Sequence, residues 1–309
     1  MILLAGGTGH LGVPLTKLLA ARGDRVRVLS RDPSRARARV PAEVELVAGD
    51  VRDASSLGPA LAGVVTVISA VTGFGPGGAG PQRVDLAGNE NLIAAATAAR
   101  VEHFILVSIH GASSDHPLEL YRAKFRAEER LRASNLEWTV IRPTVFMELW
   151  AGIVGDSLIK GGPATVFGRG QNPINFVSVR DVARFIELAV SDIRLRGRVL
   201  EVGGPENLTL RNVVEVIAAS SGRPPSTRHV PLTALRVSAA LLGPFRPDIA
   251  GLMGAAARMD RADMTFDPAE LTAMYPQIQL THFADVVTSR GERRAGVPAG
   301  VRSESTTST

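Results

Sequence analysis

The sequence predicts an α/β fold built on a doubly wound parallel sheet, and three observations support this prediction. Short apolar runs alternate with helical segments from residue 1 to about residue 145, the pattern of parallel strands joined by crossover helices. The first run, residues 2–5, is followed directly by a glycine-rich turn and a helix. The run 64–70 is apolar almost throughout, as expected for a strand that is covered on both faces.

The elements follow in order along the chain. Apolar runs predict strands at residues 2–5, 25–29, 44–48, 64–70, 103–108 and 138–142, and helices at 11–21, 34–39, 54–61, 83–100 and 118–133. Later segments predict helices at 147–160, 180–191 and 209–221 and strands at 175–179 and 199–202. Prolines and short apolar segments at 224–281 indicate a smaller, mostly helical lobe. We therefore divide the chain into a core (1–145), a substrate-binding lobe interleaved with late sheet elements (146–290) and a disordered tail (291–309).

The amino-acid composition limits the kinds of site and the location that the protein can have. The 309 residues are 45% hydrophobic and 21% charged, as in ordinary globular proteins. The absence of cysteine excludes disulfides, thiolate metal sites and a cysteine nucleophile. The six histidines are dispersed, so no metal site is expected. No run of about 18 apolar residues occurs, and the first strand starts at residue 2. We therefore expect no membrane span, no secretory signal and a cytoplasmic location.

The net charge of +5 comes from arginines that are scattered among acidic residues. A basic stripe would suggest nucleic acid as a partner, and this distribution does not. We expect no nucleic-acid partner. Two runs are rich in arginine, 31–39 and 290–302, and we interpret most of their arginines as solvated surface charges, apart from one phosphate site in the first run.

The glycine-rich turn after the first strand predicts a dinucleotide site. Two patterns overlap there, Gly7-x-Gly9-x-x-Gly12 and Gly6-x-x-Gly9-x-x-Gly12. Such glycines allow a tight turn, a close approach of the backbone to a pyrophosphate, and close packing of helix on strand. The helix N-terminus adds free N–H groups and a positive dipole end. The predicted contacts are Gly6, Thr8, Gly9, His10, Leu11 and Gly12; the alternative is a tight turn that binds nothing.

Arginine at the end of the second strand favours NADPH over NADH. Arg31 lies about 20 residues beyond the last glycine, where readers of NAD place an acid and readers of NADP an arginine. Arg35 adds a second charge one helical turn later. Asp32, followed by Pro33, is better explained as the cap of a short helix. The predicted cofactor is therefore NADP(H); the alternative for Arg31 is a solvated charge.

The ends of the third and fourth strands complete the predicted cofactor contacts. Asp50 is a candidate acceptor for the adenine amino group, with Val51 beside the ring; a helix cap is the alternative for Asp50, although Asp53 suits that role. The fourth strand ends in Ala70, Val71 and Thr72, at the start of a glycine-rich loop, 71–81. We interpret this loop as a mobile cover over cofactor or substrate; a disordered excursion is the alternative.

Candidate catalytic groups follow the fifth strand. Ser108 and His110 emerge at the carboxyl edge of the sheet, and Tyr121 and Lys124 lie on the next helix. The backbone that follows the sixth strand is expected to line the nicotinamide, through Pro143, Thr144 and Val145. For three of the four candidates a structural alternative remains: Ser108 as a strand end, His110 as a solvated loop residue, and Tyr121 as packing under the lobe.

Several motifs resemble those of the atypical and extended short-chain dehydrogenase/reductases, most closely the NmrA-like NAD(P)H-binding branch. They are Gly6-Gly-Thr-Gly-His-Leu-Gly12, Ser30-Arg31, Gly49-Asp50-Val51, Asn89-Glu-Asn-Leu92, Lys124-Phe-Arg-Ala-Glu128, Leu136-Glu-Trp-Thr-Val-Ile-Arg-Pro143, Phe176-Val-Ser-Val-Arg-Asp-Val182 and Gly203-Gly-Pro205. The resemblance spans about residues 1–220 and implies a Rossmann-type NADP(H) domain with a C-terminal substrate lobe.

The chain departs from the superfamily's Tyr-x-x-x-Lys pair. Lys124 matches the lysine, but Leu120 occupies the tyrosine position. Tyr121 is displaced by one residue, which rotates it by about 100° around the helix axis. The resemblance implies that Lys124 binds the nicotinamide ribose; with no tyrosine in place, its charge would also stabilise the developing oxyanion.

We hypothesise an NADPH-dependent reductase that transfers a hydride to a small quinone, enone or aromatic or polyketide-type ketone. Such acceptors form stabilised anions and need a weaker proton donor. Ser108 would orient the oxygen, and His110 and Tyr121 are candidate donors. The alternative is a non-catalytic NADP(H)-binding redox sensor; a nucleotide-sugar enzyme is disfavoured by Leu120. The expected partner is a small carbonyl or quinone compound, and the expected state a monomer or homodimer.

Overall fold

The computed structural model describes residues 1–75, 77–243 and 245–294. Its strands are β1 (Ile2–Ala5), β2 (Val26–Ser30), β3 (Glu45–Ala48), β4 (Thr66–Ser69), β5 (His103–Val107), β6 (Glu137–Pro143), β7 (Val145–Phe146), β8 (Ala164–Phe167), β9 (Ile174–Val177), β10 (Arg198–Val202), β11 (Asn207–Leu208) and β12 (Thr227–Val230).

Helices separate the strands. They are α1 (Gly12–Ala21), α2 (Pro33–Arg37), α3 (Leu57–Ala60), α4 (Ala87–Ala98), α5 (Glu119–Arg132), α6 (Met147–Ile159), α7 (Val179–Ser191), α8 (Leu210–Ser221), α9 (Leu232–Leu242), α10 (Pro247–Met259), α11 (Ala269–Met274) and α12 (Phe283–Arg294). A 3₁₀ turn (Ala54–Ser56) precedes α3, and a π-helical turn (Gln82–Leu86) precedes α4.

The central sheet has seven parallel strands in the order β10-β6-β5-β4-β1-β2-β3. The strand order reverses between β1 and β4, so the two halves of the sheet diverge from that point. In open parallel sheets, ligands bind in the crevice outside the carboxyl ends of the strands at such a switch point. The predicted doubly wound sheet is confirmed, and the switch point indicates where to look for a site.

Two apolar layers cover the sheet. Successive strand residues point to opposite faces, so Leu3 and Leu4 belong to different clusters. The cluster of Leu4 includes Phe185 of α7, and the cluster of Leu3 includes Leu131 of α5. These side chains are at most 1% exposed. The sheet is therefore buried on both faces and forms a firm support for the loops at its edge.

The C-terminal part adds a third apolar cluster among α6, α8 and α12. It also contains two small sheets, β11-β9-β7 and β12-β8, in which β7, β8, β11 and β12 were not predicted. The predicted strand 175–179 ends earlier, at Val177, because Ser178 caps α7 by accepting a hydrogen bond from the Arg180 N–H (3.2 Å). The predicted helical lobe is present as α9, α10 and α11.

The predicted tail begins too early. Helix α12 extends to Arg294, so the expectation of disorder is wrong for residues 291–294. The remainder of the predicted tail, 295–309, lies outside the described residues. Across the described ranges, no helix combines the length and apolar character needed to cross a membrane.

Candidate active site

The glycine-rich turn brings three backbone segments together at the switch point. Gly6 has φ +87°, and a Cβ there would lie 2.5 Å from the carbonyl oxygen of Ala70. A Cβ on Gly12 would lie 2.0 Å from the carbonyl oxygen of Gly6. The Gly9 N–H donates to the same Gly6 oxygen (3.0 Å). The start of α1 therefore packs on the ends of β1 and β4 at a distance that only glycine permits.

The N-terminus of α1 is suited to an anion. Its N-cap, Leu11, has its side chain in the core, so only its backbone can meet a ligand. Within the described part of the chain, no side chain caps this helix, and its first turn carries no acid. Gly9 and His10 are exposed beside it, and Thr8 is half-buried. N–H groups and a positive dipole end at this position fit a pyrophosphate.

Arginines flank the turn on the β2 side. Asp32 caps α2 as expected, since its Oδ1 accepts from the Arg35 N–H (2.9 Å). The side chains of Arg31 and Arg35 are exposed. Arg39, which was interpreted as a surface charge, donates from Nη1 to the carbonyl oxygen of Thr8 (2.8 Å). A third guanidinium is thereby fixed to the glycine turn itself; its only signal in the sequence was the arginine run 31–39.

The predicted adenine contacts are less open. Arg52 forms an ion pair with Asp50 (2.6 Å), and this hydrogen bond holds the pKa of Asp50 below its ordinary value, with a smaller contribution from Arg31. Val51 is buried, and Asn91 donates to its carbonyl oxygen (2.9 Å). Asp53 caps the 3₁₀ turn that precedes α3, as expected. A ligand at Asp50 would therefore meet a carboxylate that an arginine already holds.

Lys124 is buried beneath the ends of β4 and β5. Its Nζ donates to the carbonyl oxygens of Val71 and Val107, both at 2.9 Å, and lies 3.1 Å from Oδ1 of Asp85. Asp85 is fully buried, and its Oδ2 accepts from the Gly73 N–H (2.8 Å). The direct contacts of this ammonium are therefore with the protein. It ties α5 to the two strand ends that face the switch point.

Ser108 is also directed into the protein. Its hydroxyl donates to Oε1 of Glu128 (2.5 Å), a fully buried carboxylate on α5. Glu128 accepts further hydrogen bonds from Arg132 (2.8 Å) and from Arg142 (2.7 and 2.9 Å). The expectation that Ser108 orients a substrate oxygen by donation does not fit this geometry, because its proton is already engaged.

His110 is the candidate that faces the edge of the sheet. The backbone N–H of His110 donates to the carbonyl oxygen of Pro143 (2.9 Å), and the imidazole ring packs edge-on to Phe266, with the ring centroids 5.5 Å apart. Nδ1 lies 2.8 Å from Oε2 of Glu201, and the His110 side chain is 37% exposed. The other oxygen of Glu201 accepts from Nη1 of Arg142 (2.9 Å). His110 is therefore held on two sides and open on a third.

Glu128, Arg142 and Glu201 were not predicted as site residues. Burial opposes the ionisation of Glu201, but hydrogen bonds from His110 and Arg142 outweigh it and hold its pKa below the ordinary value. The signal in the sequence is weak: Arg142 and Glu201 are charged residues near the carboxyl ends of their strands.

Tyr121 lies toward the C-terminal lobe. Its ring stacks on His116 with centroids 3.8 Å apart and lies close to Gly111. Burial raises the pKa of the Tyr121 phenol, and Arg258 of α10 partly opposes this shift. A raised pKa makes the phenol a weaker acid, which agrees with its displacement from the usual tyrosine position.

The segment after β6 is fixed by Asn175. This fully buried amide accepts from the Thr144 hydroxyl (2.8 Å) and from the Gly204 N–H (2.8 Å). The Thr144 N–H donates to the carbonyl oxygen of Val202 (2.9 Å). Pro143, Thr144 and Val145 therefore form a braced turn directly beside His110.

The loop 71–81 connects the sheet edge to the lobe. The Gly80 N–H donates to the carbonyl oxygen of Gly73 (3.1 Å), and the Gly77 N–H donates to Asp248 of α10 (3.0 Å). Thr72 is exposed and its hydroxyl accepts from the Phe74 N–H. Residue 76 lies outside the described residues. The loop thus contacts the helical lobe, as a cover would, but its motion stays a hypothesis.

Together, these contacts place two kinds of site on one sheet edge. The β1–β2 side offers backbone N–H groups and exposed guanidinium groups, which fit phosphates. The β5–β6 side offers an oriented imidazole above a buried network of charges. A dinucleotide that spans the switch point would have its phosphates on the first side and its other end beside His110.

Comparison with known proteins agrees with this geometry. A family model described as NAD(P)H-binding matches residues 6–192. The chain is 28% identical over 253 residues to the NAD(P)H azoreductase of Xenophilus azovorans, which covers 80% of this chain and 82% of the relative. It is 31% identical over 255 residues to the (4-alkanoyl-5-oxo-2,5-dihydrofuran-3-yl)methyl phosphate reductase of Streptomyces griseus. This match covers 81% of this chain and 83% of the relative.

Among solved structures, the NADPH complex of the Escherichia coli NADPH-dependent quinone oxidoreductase has a TM-score of 0.75 at 22% identity, covering 94% of this chain and 100% of that one. At this identity the likeness concerns the fold. The family match and the two reductases go further: the chain belongs to the NAD(P)H-binding family and is an NAD(P)H-dependent oxidoreductase.

Proposed function

We propose that the protein is an NADPH-dependent reductase of a small quinone, enone or aromatic or polyketide-type ketone. The observation that carries the proposal is the pairing, on one sheet edge, of the phosphate cradle at Gly6 and Gly12 with the imidazole of His110. The relatives named as reductases support reduction as the type of reaction.

Residues on the β1–β2 side bind and select the cofactor. The N-terminus of α1 receives the pyrophosphate, and the close backbone contacts at Gly6 and Gly12 leave no space for side chains that would block it. The exposed guanidinium of Arg31, with Arg35 and Arg39 nearby on the chain, receives the 2′-phosphate, because its fork can bond two oxygens at once. The preference for NADPH follows from this positive charge.

Residues on the β5–β6 side act on the substrate. The bound cofactor supplies the hydride when it is present. His110 gives a proton to the substrate oxygen from Nε2, while Nδ1 stays bonded to Glu201. One hydride and one proton are added overall: a ketone becomes an alcohol, a quinone becomes a hydroquinone, and an enone becomes an enol that rearranges to the saturated ketone. The imidazole regains its proton from solvent.

Lys124 acts from beneath the ends of β4 and β5. Its ammonium holds the carbonyl oxygens of Val71 and Val107, and so fixes the two strand ends on which the nicotinamide rests. Its positive charge, paired with Asp85, lies in the protein interior beneath the strand ends. Charge acts more strongly there than in water, so we expect it to favour the developing oxyanion. Quinones and enones suit this site, since their reduced anions are already stabilised and need no strong acid.

The test is turnover with a panel of quinones, enones, aryl ketones and azo compounds, followed by the loss of NADPH absorbance. We expect reduction of at least one conjugated acceptor, slower turnover with NADH, and little reduction of simple aliphatic ketones. Cofactor binding without turnover on any acceptor would contradict the proposal. That outcome, with equal affinity for NADPH and NADP⁺, is what the alternative of a non-catalytic redox sensor predicts.

A further inference from the structure

Glu201 lies where the sheet edge and the buried charges meet. It belongs to β10, pairs in register with Arg142 of β6, and is 91 residues away from His110 in sequence. Its two oxygens have different partners: Oε2 lies 2.8 Å from Nδ1 of His110, and Oε1 accepts from Arg142 (2.9 Å). Each oxygen therefore fixes one side of the carboxylate.

The charges around Glu201 are balanced without the imidazole. Two carboxylates, Glu128 and Glu201, face two guanidinium groups, Arg132 and Arg142. Arg142 bridges the two acids and donates to them from all three of its guanidinium nitrogen atoms. Glu201 is thus anchored as an ionised acceptor through Arg142 and Glu128 to helix α5. Oε2, the oxygen beside His110, therefore has a fixed position relative to the sheet edge.

An ionised carboxylate at Nδ1 decides which nitrogen of His110 can lose a proton. A carboxylate only accepts hydrogen bonds, so Nδ1 must carry a proton both in the imidazolium and in the neutral ring. The proton that leaves is then the one on Nε2. Nowhere in the described ranges does the structure record a partner for Nε2, and the side chain is 37% exposed on the edge of the sheet.

We propose that Glu201 is the positioning residue of His110: it fixes the ring orientation and the Nδ1–H tautomer, so that Nε2 gives its proton to the substrate oxygen. The inference rests on the proposed function and adds a residue to it. In the step, the Nε2–H bond breaks, the new O–H bond forms, and the imidazolium becomes the neutral Nδ1–H imidazole. Solvent returns the proton to Nε2.

The test compares Glu201→Gln with Asp263→Asn. Glutamine keeps the shape of the side chain but loses the charge. Asp263 is the matched control: its charge lies near His110, but its carboxylate accepts its hydrogen bonds from Thr265. We expect Glu201→Gln to lower kcat by about 10- to 100-fold, which is no more than the loss of the general acid itself would cost, with the KM for NADPH changed less than about twofold. Asp263→Asn should stay within about threefold of wild type.

A second measurement does not depend on turnover. The ¹⁵N chemical shifts of the His110 ring report its tautomer, and we expect the Nδ1–H form in the wild type and a mixture of tautomers in Glu201→Gln. An Nε2–H tautomer in the wild type would overturn the proposal, even if the variant failed to fold. Unchanged kcat in a folded Glu201→Gln protein would also overturn it. If no acceptor were reduced by the wild type, the proposed function would fail, while the ring shifts would still decide whether Glu201 fixes the tautomer.

Discussion

The two halves of the central sheet handle charge in opposite ways. On the β1–β3 side, Arg31 and Arg35 stay exposed, and Arg35 lies on a short helix that the nearby Asp32 caps. On the β4–β6 side, Lys124, Asp85 and Glu128 are buried, and ion pairs join them to other elements, Lys124 to Asp85 and Glu128 to Arg142 of β6. The comparison teaches that the half of the sheet that binds phosphate can be built from a local sequence motif. A half that arranges chemistry needs contacts that only the complete fold supplies.

The largest effect is expected from breaking the buried pair. Lys124→Met should lower the free energy of unfolding by about 3–5 kcal/mol, because Asp85 would be left as an unpaired buried charge. Denaturant unfolding monitored by circular dichroism measures the change.

The double variant Lys124→Met/Asp85→Asn is the control, since it removes both charges together. It should recover most of the lost stability but not the turnover. If the single and double variants were equally unstable, the ion pair would not be the reason that Lys124 is needed.

A pH effect should come from the same half of the sheet. His103, at the start of β5, is almost fully buried against Thr139, and burial lowers its pKa to about 4, with Arg196 adding to the shift. The unfolded chain then binds a proton that the folded protein excludes, so stability is complete above pH ~6.5 and is lost as the pH falls toward 4. The loss reaches about 3 kcal/mol.

Unfolding experiments across this pH range check the effect, with His103→Leu as the comparison because it cannot titrate. The difference in unfolding free energy between the two proteins should change with pH in this window. If the difference in unfolding free energy did not change with pH, His103 would be protonated equally in the folded and the unfolded protein.

The glycine turn offers the sharpest test of the β1–β3 side. Gly12→Ala would place a Cβ 2.0 Å from the carbonyl oxygen of Gly6, so the start of α1 must move away from the turn. We expect NADPH to bind about 100-fold more weakly, or about 2.7 kcal/mol, by fluorescence titration. Gly58→Ala is the matched control, because a Cβ there meets nothing within 4 Å; a similar loss in both variants would argue against a specific cradle.

How far the sequence predicts each half follows from the distance between contacting residues. The Asp32 cap of α2 and the contacts of Gly9 and Gly12 with Gly6 join residues a few positions apart, so their patterns are visible in the chain, although Gly6 also packs on the distant Ala70. His110 and Glu201 meet across 91 residues, and no local pattern specifies that contact. Arg39 shows the intermediate case: the arginine run was visible, but its bond to Thr8 depends on how α2 packs.

The same reason explains the other differences between the predicted and the observed structure. Strands β7 and β11 have two residues each, and such short strands carry no period of their own. Ser108 was expected to face the edge because it follows β5, but its hydroxyl turns to Glu128, where a buried carboxylate needs donors. The fold class was therefore predictable from local patterns, and the side-chain directions at the site were not.

The smallest effect is expected from the exposed arginine that follows β2. Arg31→Ala should weaken NADPH by about 10-fold, or about 1.4 kcal/mol, and NADH by less than about twofold, since the lost contact concerns only the 2′-phosphate. Arg126→Ala, an exposed arginine on α5, serves as the control. Equal losses for the two cofactors would show that Arg31 does not discriminate between them.

The most direct measurement is the titration of the wild-type protein with NADPH and with NADH, followed by cofactor fluorescence and by the shift in Tm. The account predicts saturable binding of both nucleotides, tighter for NADPH, with a matching rise in Tm. If neither nucleotide changed fluorescence or Tm, or if NADH bound more tightly, the assignment of the sheet edge as an NADPH site would be contradicted.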